Sequence, residues 1–348
     1  MFNYSISGTY IYLNWIKRIS GMIVVFSHDG KELKKESIEC LETLNLSDKS
    51  EIKRWIVAKN IDASEAVLLG QKLGLHPLTT EDMTSAQTRI KYEEHEDYTL
   101  IIFRALKEVG AFEIKTEPIS IVFGETILVT VCQENQTINH LMLHENRIRY
   151  LLSKNSDFIG HYILDKEIDR IMDTKNVLAE DFKNIEREFL RRPESEVLGK
   201  VFKRELVLLE LRQLSESTTD LCINLIKPTD NYISNELLTY FKDVYDHTFK
   251  TTESLKTILG RINGMRHSYQ SIISNKINET MRLMTIIMAI MATMTIITGF
   301  YGMNVSLPFE RESYAYLIIL GFMVVAAVIT FLLARKIGGG KRVIRKRN

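Results

Sequence analysis

The sequence predicts an α+β membrane protein with an N-terminal α/β domain, a long helical segment and two C-terminal transmembrane helices. Strand-like and helix-like runs alternate over the first 150 residues, long helical stretches follow, and two uncharged runs lie near the end. Of the 348 residues, 45% are apolar and 26% are charged, which excludes a disordered or collagen-like chain. The 3 cysteines form no Cys-x-x-Cys pair, which excludes a disulfide-rich scaffold and a thiolate zinc site.

Residues 1–156 are predicted to form the mixed α/β domain. Runs rich in β-branched and aromatic residues are typical of strands. They lie at Met22–Ser27, Trp55–Ala58, Tyr98–Leu106, Ile119–Phe123 and Thr126–Val131. Helices are predicted between and after these strands, at Glu65–Leu73, Leu78–Thr84 and Gln136–Leu152.

Residues 157–230 are predicted to form an antiparallel helical pair, because Pro193 separates two long helical stretches and Pro228 ends the second. A third helix is predicted over residues 236–302, and its soluble part lies within residues 231–282. Apolar residues spaced three and four apart give that part a coiled-coil seam. The seam consists of Leu255, Ile258, Ile262, Met265, Tyr269 and Ile272. Either the two preceding helices or helices of other subunits could cover it.

The two uncharged runs, residues 283–309 and 313–334, each exceed the roughly 20 apolar residues that cross a bilayer core of about 30 Å. Residues 1–280 hold 36 basic and 42 acidic residues, a net charge of −6, whereas the chain after Ala334 holds seven Lys or Arg. Positive-inside logic therefore places both termini in the cytoplasm of a multi-pass protein of the cell membrane. The predicted segments are a first span at 283–303, an external loop at 304–312, a second span at 313–334 and a basic cytoplasmic tail at 335–348.

One face of the first span carries polar, small or flexible side chains at the same three–four spacing. This stripe consists of Asn278, Met281, Thr285, Met288, Ala292, Thr295, Gly299 and Gly302, and Met284 flanks it. Such a face is typical either of close helix packing or of a wall that lines a water-filled path. Two helices cannot enclose a pore, so a conducting path requires several copies of the chain.

At the outer end of this span the sequence reads Tyr301-Gly302-Met303-Asn304, followed by a short loop and a second span. In this position the Gly-Met-Asn tripeptide resembles the signature of the CorA family of divalent-cation channels. Cytoplasmic segments extend the resemblance over most of the chain. They are Leu75-His76-Pro77-Leu78 with Glu81-Asp82, Arg89-Ile90-Lys91, Phe241–His247 and Asn275–Glu279.

The resemblance implies a homopentamer with an α/β cytoplasmic domain, a long helical funnel and a central pore lined by the first span. Two departures from the family concern the pore. Met291–Met294 stands where the family often has a mid-span proline, and Leu307–Glu310 stands where its loop commonly reads Met-Pro-Glu. Any constriction at mid-span is therefore expected to be softer than in the family.

The implied selectivity filter consists of Gly302, Met303 and Asn304. Mg²⁺ holds its waters tightly, so we expect the Asn304 amide oxygen and the Gly302 carbonyl to bind the hydrated ion through those waters. Methionine rings below the filter would gate by dewetting. The predicted pore-lining residues are Asn278, Met281, Met284, Thr285, Met288, Ala292, Thr295 and Gly299.

The resemblance also implies a regulatory intersubunit metal site. Its candidates are Glu81 and Asp82 on one protomer with Asp165 and Asp243 on the next. Bound cytoplasmic Mg²⁺ would cancel the repulsion between these carboxylates and hold the closed state. Most other acids in residues 157–188, Asp169 among them, are interpreted as solvated helix faces.

The histidines carry less information than the carboxylates. His140 and His144 have the i,i+4 spacing of a metal pair, but no third ligand is evident in the sequence nearby. His76 and His247 lie in the segments that resemble the family and are interpreted as structural.

The sequence thus predicts a passive Mg²⁺ influx channel that the membrane potential drives, with Co²⁺ or Ni²⁺ as further ions. Mg²⁺ is expected as both the transported and the regulatory ion, and neither an organic cofactor nor an enzyme activity is expected, since no nucleophile–base pair or GxxxxGK[ST] loop occurs. The expected partners are further copies of the chain and the lipid bilayer, and the basic tail is interpreted as a lipid anchor, not a nucleic-acid site. The alternatives are a zinc transporter of the same superfamily, with or without proton coupling, and a membrane-anchored regulatory module.

Overall fold

The computed structural model describes residues 21–39, 41, 44, 52–227, 232–303 and 314–337. It consists of two compact units that divide between Asn263 and Gly264. The strands of the described part are β1 (Met22–His28), β2 (Leu33–Ile38), β3 (Lys53–Lys59), β4 (Lys91–Glu94), β5 (Thr99–Val109), β6 (Ile114–Phe123) and β7 (Ile127–Cys132). The helices are α1 (Ala63–Leu73), α2 (Pro77–Thr84), α3 (Gln136–Met142), α4 (Glu145–Lys154), α5 (Asp157–Arg191), α6 (Ser195–Leu225), α7 (Asn235–Tyr301) and α8 (Ala315–Ile337).

The first unit is built on a seven-stranded sheet with the strand order β2-β1-β3-β7-β6-β5-β4. Neighbouring strands are antiparallel except for β3 and β7, which are parallel. Apolar side chains cover both faces of this sheet. Phe26, Trp55 and Phe103 point into a core with α3, α4 and α5, whereas Ile56 and Ile102 point into a second core with α1 and α2. Burial on both faces explains why the central strands are nearly continuous apolar runs in the sequence.

Two strands were not predicted from the sequence, and both lie at an edge of the sheet. The sequence of β2 is LKKESI and that of β4 is KYEE, and most of their side chains are exposed or half-buried. Charged residues on an edge strand discourage pairing with other chains. The same charges remove the alternation of apolar and polar residues that would have identified these strands.

The single helix predicted at Gln136–Leu152 is wrong, because the segment forms α3 and α4 with a break at Leu143 and His144. In an unbroken helix the apolar positions 138, 141, 148 and 152 would place Glu145 on the same buried face. The break instead places Glu145 in the first turn of α4, where the helix dipole favours a carboxylate. Asn135 caps α3, since its side-chain oxygen accepts from the Ile138 N–H at 2.9 Å.

The predicted long helices are confirmed in the secondary structure. Helix α5 ends just before Pro193, and α6 begins at Ser195 and runs antiparallel to it, so that Lys200 pairs with Glu188 and Arg204 with Asp181. Helix α7 has 67 residues. The seam residues Leu255, Ile258 and Ile262 of α7 are buried within the chain. Contacts such as Thr252 Oγ1 to Ser215 Oγ at 2.8 Å show that α6 covers this part of the seam.

The second unit contains two helical segments that are long and apolar enough to cross a membrane, the C-terminal part of α7 and Tyr316–Lys336 of α8. None of the most apolar window of either helix is buried. Thr293 and Thr330 place their hydroxyl oxygens 3.3 Å apart, which brings the two segments together. The hydroxyls also donate to Ala289 O and Ala326 O of their own helices.

Candidate functional site

Three side chains of types that can bind a metal ion lie close together where α5 faces α7. Asp165 and Asp169 of α5 and His247 of α7 place ligand atoms within 4.8 Å of one another. The spacing of four residues puts both carboxylates on one face of α5. All three side chains are partly exposed, so a hydrated ion could reach them. We call Asp165, Asp169 and His247 the α5–α7 group.

The α5–α7 group is positioned by contacts that run along both helices in the same direction. At the start of the two helices, Asp157 Oδ2 accepts from the Ser234 N–H at 2.7 Å. One turn later the His161 ring packs edge-on against Tyr240 and Phe241, with centroids 5.5 and 5.3 Å apart. The next contact in this series is the α5–α7 group itself.

Asp243 lies one turn before His247 on α7. Its Oδ1 is 3.9 Å from His247 Nε2, and its side chain is 70% exposed. Burial lowers the pKa of His161, while the neighbouring carboxylates Asp165 and Asp243 act in the opposite direction. A neutral His161 adds no positive charge to this face. One chain therefore brings two of the four predicted regulatory residues, Asp165 and Asp243, to the same face.

A lysine ammonium lies close to both carboxylates of the α5–α7 group. Lys166 Nζ is 2.6 Å from Asp169 Oδ2 and 3.5 Å from Asp165 Oδ2. The hydrogen bond to Asp169 raises the pKa of Lys166, outweighing the opposing effect of burial. The ammonium is therefore charged at neutral pH and offsets part of the negative charge of the group.

The other two predicted regulatory residues, Glu81 and Asp82, lie on α2. This helix begins at Pro77, and His76 caps it by accepting from the Leu78 N–H at 3.2 Å. Glu81 is exposed and Asp82 is half-buried. Within the described part of the chain, neither of them belongs to a group of three metal ligands.

Close packing of α1 against α2 fixes the position of Glu81 and Asp82. A Cβ added at Gly70 of α1 would lie 2.0 Å from Thr80 Cγ2 of α2. Lys91 Nζ contacts Asp82 Oδ2 and also donates to Glu93 Oε1 at 2.9 Å. Asp82, like Asp169, thus has a lysine ammonium as its partner.

The structural interpretation of His76 is consistent with its capping role, whereas sequence reasoning missed two members of the α5–α7 group. Asp169 was interpreted as a solvated residue and His247 as structural. The signal that could have found them is the i,i+4 spacing of Asp165 with Asp169 and of Asp243 with His247. The rings of His140 and His144 have centroids 4.2 Å apart and are tilted by 32°, and the two residues form no three-ligand group among the residues that the structure describes.

The predicted pore-lining stripe is exposed along its whole length. All eight stripe residues and the flanking Met284 are exposed: Asn278, Met281, Met284, Thr285, Met288, Ala292, Thr295, Gly299 and Gly302. Of the bulky apolar residues outside the stripe, Ile286, Ile290 and Ile297 are partly buried, whereas Ile287, Ile296 and Phe300 are exposed. The hydroxyls of Thr285 and Thr295 donate to the carbonyls of residues 281 and 291 at 2.9 and 2.8 Å. Their oxygen lone pairs are thereby left available to accept from water or to bind a cation.

The predicted filter begins where α7 ends. The Gly302 N–H donates to Thr298 O at 2.9 Å, and the Met303 N–H donates to Phe300 O at 3.4 Å. These bonds close the last turn of the helix. Asn304, the third residue of the predicted filter, lies outside the described residues.

Comparisons with known proteins match nearly the whole chain. Residues 51–336 match the family model described as "CorA-like Mg2+ transporter protein". The chain is 27% identical over 321 residues to the cobalt/magnesium transport protein CorA of Thermotoga maritima, covering 90% of this chain and 91% of that protein. It is also 27% identical to a putative metal ion transporter of Bacillus subtilis, over 80% of this chain and 87% of the relative.

The fold is that of a complete solved transporter. The structure of the CorA magnesium transporter from Methanocaldococcus jannaschii superimposes with a TM-score of 0.72 at 20% identity, covering 91% of this chain and 98% of the other. The predicted fold class, an α/β domain followed by a long helix and two apolar C-terminal helices, is therefore confirmed. Since the family model covers most of the sequence, the chain belongs to the family of CorA-like Mg²⁺ transporter proteins and is a divalent-cation transporter, not an enzyme.

Proposed function

We propose that the protein is a passive Mg²⁺ influx channel of the cell membrane, driven by the membrane potential, that also carries Co²⁺ or Ni²⁺. The observation that carries the proposal is the stripe on α7, whose eight predicted pore-lining residues are all exposed in one chain while Ile286, Ile290 and Ile297 of the same span are partly buried. Several copies around an axis, a homopentamer by the family resemblance, would turn these faces toward a common path. Both termini would lie in the cytoplasm.

The driving force for entry needs no nucleotide. A membrane potential of 100 mV contributes about 2.3 kcal/mol per charge, or roughly 4.6 kcal/mol for a divalent ion. The stripe from residue 278 to residue 299 contains no carboxylate. It offers hydroxyl and amide oxygens instead, which suit a hydrated ion better than a bare one.

At the outer mouth, Gly302, Met303 and Asn304 would form the filter. A ring of Asn304 amide oxygens, with Gly302 carbonyls that no side chain obstructs, would select by hydrated size and charge. Further in, Met281, Met284 and Met288 would form apolar rings that gate by dewetting.

Cytoplasmic Mg²⁺ would close the channel. Glu81 and Asp82 of one protomer would share the ion with Asp165 and Asp243 of the next, and the split of these residues between α2 and the α5–α7 face supports a site shared between copies. Asp169 and His247 extend the ligand set. When internal Mg²⁺ falls, the carboxylates repel one another and the closed state is lost.

Flux into liposomes tests the proposal. The full chain is reconstituted with a trapped Mg²⁺-sensitive dye and an inside-negative potential, beside Asn304→Ala and, as a control, Asn184→Ala on α5. We expect Mg²⁺ uptake by the wild type and the control and its loss in Asn304→Ala. Equal uptake by all three would contradict the role of Asn304.

The alternatives make different predictions in the same assay. A zinc transporter would show Zn²⁺ flux that requires a proton gradient, without Mg²⁺ flux. The relative from Thermotoga maritima is named for cobalt and magnesium, which does not favour zinc. A membrane-anchored regulatory module would carry no ion at all.

A further inference from the structure

Two lysines lie on the carboxylates that the proposed function assigns to regulatory Mg²⁺. We propose that Lys166 and Lys91 are tethered counter-ions, which Mg²⁺ must displace from Asp165 and Asp82 before the channel closes. This inference rests on the proposed function and names how its cytoplasmic site is regulated. The two ammonium groups compete with Mg²⁺ for these carboxylates, and this competition raises the Mg²⁺ concentration needed for closure.

The Lys166 ammonium lies within the ligand group. Its Nζ contacts both Asp169 Oδ2, at 2.6 Å, and Asp165 Oδ2, at 3.5 Å. These carboxylates are two of the three ligands of the α5–α7 group. An ammonium so close to both would repel a divalent cation held by the same oxygens. The ion and the ammonium therefore exclude each other.

Lys91 contacts an α2 carboxylate of the proposed regulatory site in the same way. Its Nζ contacts Asp82 Oδ2 and Glu93 Oε1, and its side chain is 23% exposed. A lysine ammonium is ordinarily charged at neutral pH. The lysine remains charged and competes as a cation at neutral pH.

These two pairs differ from the other lysine–carboxylate pairs on the same surface. On α5 itself, Lys183 pairs with Glu180 at 2.9 Å across an i,i+3 spacing, but both side chains are at least half exposed and neither residue is a candidate ligand. Lys166 and Lys91 each bridge two carboxylates of which at least one is a candidate ligand. Lys256 also bridges two carboxylates, but neither Glu216 nor Glu253 is a candidate ligand. Exchange is possible because a lysine stem is flexible and can return its ammonium to water.

The test compares Lys166→Met and Lys91→Met with the matched control Lys183→Met in the full chain, reconstituted in lipid nanodiscs. The readout is the MgCl₂ concentration that gives half-maximal protection against chymotrypsin, whose cleavage does not depend on lysine. Inhibition of flux by internal Mg²⁺ in liposomes is the second readout. Lys166→Arg keeps the charge and serves as the conservative variant.

We expect each Met variant to lower the half-protecting Mg²⁺ concentration by about twofold to fivefold, the range expected for a partly exposed ion pair. Lys183→Met and Lys166→Arg should keep the wild-type midpoint. An unchanged or higher midpoint in both Met variants would overturn the inference and leave the proposed regulation standing. Absence of any Mg²⁺ protection in the wild type would overturn the proposed regulation itself, and this inference with it.

Discussion

Large apolar side chains are mostly buried in the first unit of the chain and mostly exposed in the second. In the first unit, Trp55, Phe103 and Phe123 are at most 2% exposed, and the sheet is covered on both faces. In the second unit the most apolar stretches of α7 and α8 have no buried residue. The first unit thus buries most of its apolar side chains within one chain, whereas the second leaves its most apolar stretches uncovered.

Helix α7 shows the same contrast along its own length. Leu255, Ile258 and Ile262 are buried, whereas Ile272, the last residue of the seam, is 40% exposed. One seam pattern in the sequence therefore has two meanings. Its first part is core within the chain, and its later part is surface that one chain leaves uncovered.

The largest expected effect that tests this contrast is at Trp55. Its ring stacks on Phe26 with centroids 5.2 Å apart, and its Nε1 donates to Thr130 Oγ1 at 3.0 Å. We expect Trp55→Ala to destabilise the first unit by about 3–5 kcal/mol. Phe322→Ala on α8, where the ring is exposed, should change the stability of the protein little. Thermal unfolding of the full chain in detergent, followed by circular dichroism, measures both, and comparable losses would contradict the contrast.

A glycine in each unit gives a test of intermediate size. A Cβ added at Gly160 of α5 would lie 2.5 Å from Phe123 Cε1, whereas one added at Gly321 of α8 would meet nothing within 4 Å. Gly160→Ala should therefore destabilise by about 1–3 kcal/mol, because helix and sheet must separate. Gly321→Ala should be tolerated. Thermal unfolding of the full chain measures both variants. A tolerated Gly160→Ala would show that α5 packs less closely against the sheet than this distance indicates.

Asp157 tests how the start of α7 is held in the first unit. Removing its carboxylate in Asp157→Ala leaves the Ser234 N–H without this acceptor and should cost about 1–3 kcal/mol. Asp157→Asn keeps an acceptor oxygen and should retain most of the stability. Thermal midpoints of the two variants, compared at one pH, give the difference.

The same carboxylate predicts a pH dependence. Burial raises the pKa of Asp157 above its ordinary 3.8. The native state therefore binds this proton more tightly than the unfolded state, so the contribution of Asp157 to stability falls as the pH rises from 3.8 through the raised pKa. Asp157→Asn should remove this slope from the pH profile of the thermal midpoint. A variant with the wild-type slope would assign the dependence to other groups.

The smallest expected effect concerns the last ion pair before the second unit. Arg261 Nε donates to Glu186 Oε1 at 3.0 Å, and the guanidinium also lies 5.5 Å from the Phe182 ring centroid. Because Arg261 is exposed, a double-mutant cycle with Glu186 should give a coupling energy of at most about 1 kcal/mol. A much larger value would mean that this pair contributes more to the attachment of α7 to α5 than an exposed ion pair can.

The central strands and the long helices could be predicted because burial on both faces and rare prolines leave strong local signals. The edge strands β2 and β4 carry charges that obscure the alternation of apolar and polar residues. The break between α3 and α4 avoids burying Glu145, which an unbroken helix would place on its apolar face. The α5–α7 group could be predicted only in part. Asp169 and His247 come together through packing of helices about 80 residues apart in sequence, which no local pattern records.

Thiol accessibility tests whether the stripe on α7 faces the conducting path. Burial raises the pKa values of Cys132 and Cys222 to about 12, so both native thiols should be unreactive. With Cys40 replaced by serine, a cationic methanethiosulfonate reagent is applied to Thr295→Cys and to Ile297→Cys while Mg²⁺ flux is recorded. We expect the reagent to modify Thr295→Cys and abolish its flux, while Ile297→Cys conducts unchanged. Equal modification of both positions, or flux that survives modification at residue 295, would contradict this expectation.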